Sequence, residues 1–462
     1  MNLEFLLTLL KLKRKEGIEP QIILLSAVIG NLNGLERWLG GRLLLNTERP
    51  VPLNEGIIKS NGNFRYIESD SGEEKTINLF SPQYRKGTGQ DVIIPLVQKL
   101  VDEGKNVIVF RETKSEAQAC AMYLSNNLDL APASEAIKML PQRDPSTSTQ
   151  KLRHVLNKGI AFHISDLDPD ERSVIEEQFR NKESGLRVIA ATTTLAMGVN
   201  TPTEAVIISG LTHPGSVPYS ISEYKNIIGR AGRLGLAQRG YSYLVSLTSF
   251  AEHTYWQDYV LGKPEDLKSN FVSKETDCRS LVLKVLSASK SQVGMNQDRI
   301  IAFLEESFGA YQEKIKYDRW DWNQNDIFDA LTELIQHKLI KLDEEGYFHT
   351  TTIGRIAGES SLEVESIIRI INVLNQIPPD QLSSPVLLGI TQLSKELEQV
   401  YMPINRRSVY KEPHTWNDAI NKQQVPQQLI NAFSKYSKDN IESTSKSKKQ
   451  LHACFGYQIC NW

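Results

Sequence analysis

In the stretch YKNIIGRAGRLG, residues 224–235, Arg230 and Arg233 stand three apart among Gly229, Gly232 and Gly235. Guanidiniums are planar, always charged and present paired donors that match phosphate oxygens, while glycines let backbone approach a ligand closely. The chemistry on offer is anion recognition, with phosphate the best-matched anion. Salt bridging within the protein is the competing reading, because a buried arginine without an anionic partner is costly. The pentapeptide alone does not decide between them.

A second stretch, ATTTLAMGVNTP (191–202), sets Thr192, Thr193 and Thr194 at the carboxyl end of an apolar run, followed by Gly198, Asn200 and Pro202. Small hydroxyls and free backbone N–H groups at a helix start suit a phosphodiester backbone. Threonines after a strand are common, so this stretch too is weak by itself. The two stretches in this order, after two strand–helix units, make a stronger signal than either.

The elements that must position these residues follow from the apolar pattern. NVIVF (106–110), GIAFHIS (159–165), LRVIAAT (186–192), EAVIISG (204–210) and YSYLVS (241–246) read as short buried strands, and amphipathic helices lie between them. That alternation predicts a doubly wound parallel sheet with helices on both faces. Ligands in such sheets lie beyond the carboxyl ends of the strands, which directs attention to the loops after Phe110, Ser165, Thr192 and Gly210. GRAGR is expected to open a helix or to lie in the loop before one.

Upstream, Leu3, Leu6, Leu7 and Leu10 recur at helical spacing up to Gly17 and Pro20, and QIILL (21–25) reads as a buried strand. The prolines of NTERPVPL mark a crossing between units near residue 50. From about 275 the alternation stops. CRSLVLKVLSAS, NQDRIIAFLEESF and NQNDIFDALTELIQHKLI give three helices, and two short strands around Glu345-Gly346 complete a winged-helix pattern. Another helix begins in LEVESIIRIINVLNQI, and the Ser/Lys-rich SKDNIESTSKSKK reads as a linker or tail.

Composition narrows the function classes. With 53 basic and 55 acidic side chains the net charge is −2, so any nucleic-acid surface must be local. Cys120, Cys278, Cys454 and Cys460 lack metal-ligand spacing and suit a reducing, cytoplasmic setting. No signal peptide or apolar run of membrane-spanning length occurs, so no membrane partner is expected.

On these residues the chain resembles the superfamily-two DExH/DEAD-box helicases of the Superkiller-like group. LLSAVIGN resembles motif III, NVIVFRETKSEA motif IV, ATTTLAMGVNTP motif V and NIIGRAGR motif VI. The resemblance implies four regions: a remnant of a first RecA-like domain over 1–50, a second RecA-like domain over 51–260, a winged helix over 270–360, and a partial helical domain and tail over 361–462. It also implies an ATP-dependent helicase acting on the backbone of single-stranded or duplex DNA or RNA.

The roles it implies are specific. Arg230 and Arg233 meet the γ-phosphate, Arg233 as the arginine finger, and Gly198, Asn200, Asn226 and Gly229 line the nucleotide cleft. Arg111, Thr113, Thr193 and Thr194 touch the nucleic-acid backbone, while Ser26 and Ala27 of motif III couple the two sites. No G-x-x-x-x-G-K-[ST] loop and no Asp-Glu-x-His strand occurs in the 462 residues. ATP and magnesium are therefore expected to be bound mainly by a missing N-terminal half, lost or supplied by a separate chain, and these residues to be inactive alone.

Three departures from the family pattern stand out. Val28 replaces the threonine of Ser-Ala-Thr, which removes a hydroxyl from the coupling motif. Asn226 stands in place of glutamine with one carbon less reach. SGLTHPGSVPYSISEY holds only a short turn where relatives place a strand-splitting hairpin, so poor strand separation is expected. His163 matches a histidine of the family; with no carboxylate partner identifiable in the sequence, it and His213 are read as packing residues. Trp320 and Trp322 are read the same way. The acidic start of the third winged-helix helix speaks against groove binding. A non-catalytic nucleic-acid-binding remnant and a protein-interaction module remain the alternative readings.

Overall fold

In a computed structural model the described residues are 2–18, 20–46, 48–82, 87–142, 146–196, 203–213, 217–232, 238–271, 276–288, 294–317, 324–398 and 425–436. They form two compact units. An α/β unit comprises residues 23–32 and 42–267, and a helical unit comprises 1–22, 33–41 and 268–462. The expected segment 1–50 is thus divided between them.

The α/β unit is built on one sheet. Its strands are β1 (Leu53–Lys59), β2 (Asn63–Ile67), β3 (Glu74–Asn78), β4 (Val107–Phe110), β5 (Ile160–His163), β6 (Val188–Ala191) and β7 (Ala205–Ile208). A two-residue ribbon, β8 (Thr212–His213) and β9 (Val217–Pro218), lies outside the sheet, and β10 (Gly240–Ser246) returns to it. The spatial order is β3-β2-β1-β10-β7-β4-β6-β5. Six strands from β1 to β5 in this order run parallel, and β2 and β3 extend the β1 edge as an antiparallel meander. The four strands β4 to β7 are buried at every position, as parallel strands covered on both faces must be.

Helices α3 (Gln90–Asp102), α4 (Lys114–Asn127), α5 (Ser134–Met139), α6 (Thr147–Leu156), α7 (Pro169–Arg180), α8 (Ile221–Ile228) and α9 (Ser249–Tyr255) join the strands. Their starts are written in the sequence. Thr113 with Glu116, Asp168 with Glu171 and Ser220 with Glu223 each form a reciprocal capping box. Helix α9 continues as a π-helical turn, Trp256–Val260.

The helical unit contains α1 (Asn2–Lys15) and α2 (Leu35–Trp38), then α10 (Cys278–Ala288), α11 (Gln297–Glu305), α12 (Phe308–Tyr317) and α13 (Gln324–Gln336). An antiparallel ribbon follows, β11 (Ile340–Leu342) and β12 (Phe348–Thr350), turning through Gly346 at φ 84°. Beyond it lie α14 (Thr352–Glu359), α15 (Val364–Leu374), α16 (Ser384–Thr391), α17 (Lys395–Glu398) and α18 (Gln427–Tyr436). Two separate apolar cores serve this unit, one from Phe271 to Ile368 and one from Val373 to Phe433. Phe5, Leu9 and Leu12 of α1 pack on the first. The buried face of α1 therefore runs through Phe5, Leu9 and Leu12 with Leu7, while Leu3 and Leu6 point to solvent.

The expected strand QIILL is not one. Residues 20–26 pair with no strand, and Leu25 is 93 % exposed. Leu43, Leu44 and Leu45 are likewise exposed. An apolar run becomes a strand only where a neighbour accepts its N–H and C=O groups, and among the described residues no sheet offers that edge to it.

Candidate nucleotide and nucleic-acid edges of the sheet

Because β4, β5, β6 and β7 are parallel, their carboxyl ends share one edge, with Phe110 opposite both Ala191 and Ile208, and His163 opposite Ala191. The residues just beyond are cross-linked through backbone. The Arg111 N–H donates to the Ala191 carbonyl at 2.8 Å, the Thr192 N–H to the His163 carbonyl at 3.4 Å, and the Ser209 N–H to the Phe110 carbonyl at 3.2 Å. Arg111, Thr192 and Ser209 therefore stand side by side. Thr193 begins a 3-10 turn, Thr193–Ala196, anchored by the buried Leu195. The side chain of Thr194 lies outside the described residues, as do Gly198 and Asn200.

Thr113 sits at this edge with its hydroxyl already engaged. Its Oγ1 accepts the Glu116 N–H at 3.2 Å, and the Thr113 N–H donates to Glu116 Oε2 at 3.2 Å. Arg111 keeps most of its guanidinium buried, 3.8 Å from Glu116, with its Nε unpartnered. Glu112 points to the other side and roots the β8–β9 ribbon, accepting the Thr212 N–H at 2.9 Å and the Thr212 hydroxyl at 2.5 Å. His213 of the ribbon lies 3.1 Å from Glu223 at the start of α8.

His163 closes the edge and corrects the expectation that it lacks a carboxylate. Its Nε2 is 2.8 Å from Glu176 of α7, and its Nδ1 is buried without a partner. A proton on Nδ1 would find no acceptor. Burial pushes the His163 pKa below its ordinary value, and Glu176 only partly opposes this. The lowered pKa favours the neutral ring, which would donate from Nε2 to Glu176.

GRAGR does not open a helix; it closes α8, with Gly229 as the C-cap residue. The Arg230 and Ala231 N–H groups turn back to Ile227 and Ile228 at 3.1 and 3.0 Å. The loop is then pinned to Thr203, the residue after motif V. The Thr203 N–H donates to the Arg230 carbonyl at 3.2 Å, and the Gly232 N–H donates to the Thr203 carbonyl at 2.8 Å. Thr203 Oγ1 in turn donates to the Asn106 carbonyl at 2.5 Å.

Gly232 has φ 71° and no room for a side chain: a Cβ would lie 2.8 Å from the Gly240 nitrogen and 2.9 Å from Val51. Thr203 precedes β7 and Gly240 opens β10, so the Arg230 loop lies at the amino ends of the strands, across the sheet from Arg111 and Thr192. Arg230 is half-buried and Asn226 exposed, while Arg233 lies outside the described residues.

Arg49 was not among the expected site residues. Its Nη2 donates to the Ala231 carbonyl at 2.9 Å, between the two motif arginines. The only hint in the sequence is an arginine directly before Pro50 in the crossing segment. Beneath α8, Lys225 donates to Glu55 at 2.7 Å and to the Val260 carbonyl at 2.9 Å. Burial pushes the Glu55 carboxyl above its ordinary range while Lys225 pulls it back. Ser26 and Ala27 stand in the extended segment before Gly30, where the Ser26 hydroxyl donates to the Val28 carbonyl at 3.2 Å. Among the described residues no helix is long and apolar enough to cross a membrane.

Residues 91–235 match the family described as the helicase conserved C-terminal domain. Similar proteins include the ATP-dependent DNA helicase Hel308 of Caldivirga maquilingensis, 34 % identical over 316 residues, which are 65 % of this chain and 39 % of that protein. The Hel308 of Methanocella arvoryzae is 30 % identical over 363 residues, 76 % of this chain and 45 % of that one. That of Thermoplasma volcanium is 28 % identical over 408 residues, 87 % and 54 % respectively. The chain thus spans about half the length, or less, of the relatives it matches.

Proposed function

We propose, for a chain that carries a superfamily-two helicase C-terminal region, that it supplies the strand grip and the γ-phosphate arginines of an ATP-dependent DNA helicase. The phosphate-binding loop and magnesium ligands would come from a P-loop-bearing half, in the same or a separate chain. DNA is preferred over RNA because the similar proteins are DNA helicases.

The observation that carries this reading is the pair of hydrogen bonds between Thr203 and the Arg230–Gly232 loop. Motif V starts with Thr192 at one edge of the sheet, and Thr203, directly after the motif, lies at the other edge on the arginine loop. Bound ATP would supply a γ-phosphoryl group whose transfer to water develops negative charge. Arg230, its loop held by Thr203 and Arg49, would meet that charge from a fixed direction, with Arg233 in the family's finger role. A preorganised finger contributes about 10³–10⁵ in rate. The threonines and Arg111 would hold phosphates along one strand without reading bases.

The 462 residues carry no P-loop sequence, so tight ATP binding and turnover are not expected of them alone. The test combines the chain with a P-loop and Asp-Glu-x-His half and follows phosphate release with single-stranded DNA. Turnover should appear only in the mixture, and Arg230→Ala or Arg233→Ala should each lower it at least about a thousandfold. Turnover by the isolated chain, or a variant that keeps full activity, would defeat the reading.

A second reading, a protein-interaction module, draws on α13. Phe328 is exposed there between the exposed Asp326 and Asp329, a face that suits a protein better than a phosphate backbone. Single-strand binding that falls steeply with salt favours the first reading; binding indifferent to salt favours the second.

A further inference from the structure

Helix α8, which ends in the Arg230 loop, is capped twice at its start. Ser220 and Glu223 already form a capping box. A second carboxylate arrives from beyond the π-helical turn: Glu265 accepts the Ile221 N–H at 2.5 Å, the Ser222 N–H at 2.9 Å and the Ser222 hydroxyl at 2.5 Å. The capping box leaves the Ile221 and Ser222 N–H groups unserved and Glu265 takes them, but residue 265 also holds a second segment.

What it holds is the segment that carries Ser26 and Ala27. The Gly30 N–H donates to the Glu265 carbonyl at 3.2 Å, the Asn31 N–H to Asp266 Oδ1 at 3.0 Å, and the Leu267 N–H to the Asn31 carbonyl at 2.8 Å. The approach is too close for a side chain, since a Cβ on Gly30 would lie 2.5 Å from both the Pro264 and Glu265 carbonyl oxygens. The Tyr259 hydroxyl donates to the Tyr219 carbonyl at 2.8 Å and seats the π turn on the same helix start. Residue 265 thus grips α8 with its side chain and the Ser26–Asn31 segment with its backbone.

We propose that Glu265 is a positioning residue that makes the Ser26–Asn31 segment and the α8–Arg230 loop move as one body. A displacement of the first is transmitted to Arg230 through the axis of α8. The functional consequence rests on the reading of Arg230 as a γ-phosphate residue; the mechanical link does not.

Amide hydrogen exchange of the full chain, followed by mass spectrometry, tests the link. Glu265→Ala should speed exchange roughly tenfold at Ile221–Ser222, at Gly30–Asn31 and at Arg230–Ala231. Ser220→Ala, which removes only the local cap, should affect the first turn of α8 and leave Gly30–Asn31 unchanged. If Glu265→Ala loosens Ile221 and Ser222 alone, Glu265 is a second cap and the proposal falls. Should the alanine variant fail to fold, Glu265→Gln, with one neutral acceptor retained, must show the same three-site pattern at smaller amplitude or the proposal falls equally. In the mixture with the P-loop half, Glu265→Ala should lower strand displacement more than ATP turnover. A wild-type mixture without turnover would remove the helicase reading while leaving the exchange result to stand.

Discussion

The two edges of the parallel sheet are built by different means. At the carboxyl edge, Arg111, Thr113 and Thr192 rest on backbone ladders and a capping box, and two buried side-chain nitrogens there, Arg111 Nε and His163 Nδ1, have no hydrogen-bond partner. At the amino edge, the Arg230–Gly232 loop is fixed by Thr203 from one side and by Arg49 from another, against Gly240 with no space for a methyl group. The difference fits the proposed division of labour. A polymer that must slide is held by adjustable side-chain tips, whereas a charge that develops at one point requires donors fixed in advance.

The comparison is most exposed at Gly232. Its left-handed backbone and the 2.8 Å approach of the Gly240 nitrogen leave alanine both conformationally strained and in collision with main chain. Gly232→Ala should lose about 3 kcal/mol of stability, read from urea unfolding. A near-neutral outcome would mean the amino edge is as yielding as the other.

Removing the Arg49 side chain should do less to stability and more to function. One hydrogen bond to the carbonyl of the buried Ala231 is worth about 1 kcal/mol, and more where the carbonyl is left unpaired, so Arg49→Ala should unfold earlier. In the mixture with the P-loop half it should lower turnover with little change in the KM for ATP, because it fixes the loop and does not grip the nucleotide. A change confined to KM would place Arg49 on the ligand instead.

At the carboxyl edge Thr113 allows its two roles to be separated. Thr113→Ala removes an N-cap and should cost about 1 kcal/mol. Thr113→Asp keeps a cap acceptor and should retain stability, yet place negative charge where a phosphate is expected. If single-strand binding survives Thr113→Asp unchanged, the residue is a cap and nothing more.

How much of this was legible in the sequence differs by region. Strands β4 to β7 were, because four-residue runs buried on both faces are almost wholly apolar, with His163 the one polar residue among them. The same logic misled at Ile23–Leu25, since a continuous apolar run does not say whether a neighbour exists. The β1–β2 hairpin carried a readable signal, Asn61-Gly62, with Gly62 at φ 82°, yet it lies past the proline crossing, in a stretch for which no strand was expected. GRAGR was identified by residue type, but its edge was not, because strand direction and the length of α8 decide at which end of the sheet a loop emerges. Glu265 and Arg49 act through backbone groups of distant segments, and no spacing rule links residue 265 to residue 30 or residue 49 to residue 231.

The smallest expected effect concerns His163, thirteen residues before its partner Glu176. Burial lowers its pKa below the ordinary 6.5, so the folded chain holds it neutral where the unfolded chain begins to take up a proton. Stability linked to this group is therefore complete above about pH 6.5 and falls as pH drops toward the folded-state pKa, with a slope of at most about 1.4 kcal/mol per pH unit. Urea midpoints of wild type and His163→Gln, measured from pH 8 to pH 5, isolate it, because contributions from other groups cancel in the difference. The wild-type advantage should shrink on acidification. If it grows, His163 is charged and clamped to Glu176, and the carboxyl edge is then fixed by an ion pair at its margin and is no longer the looser of the two.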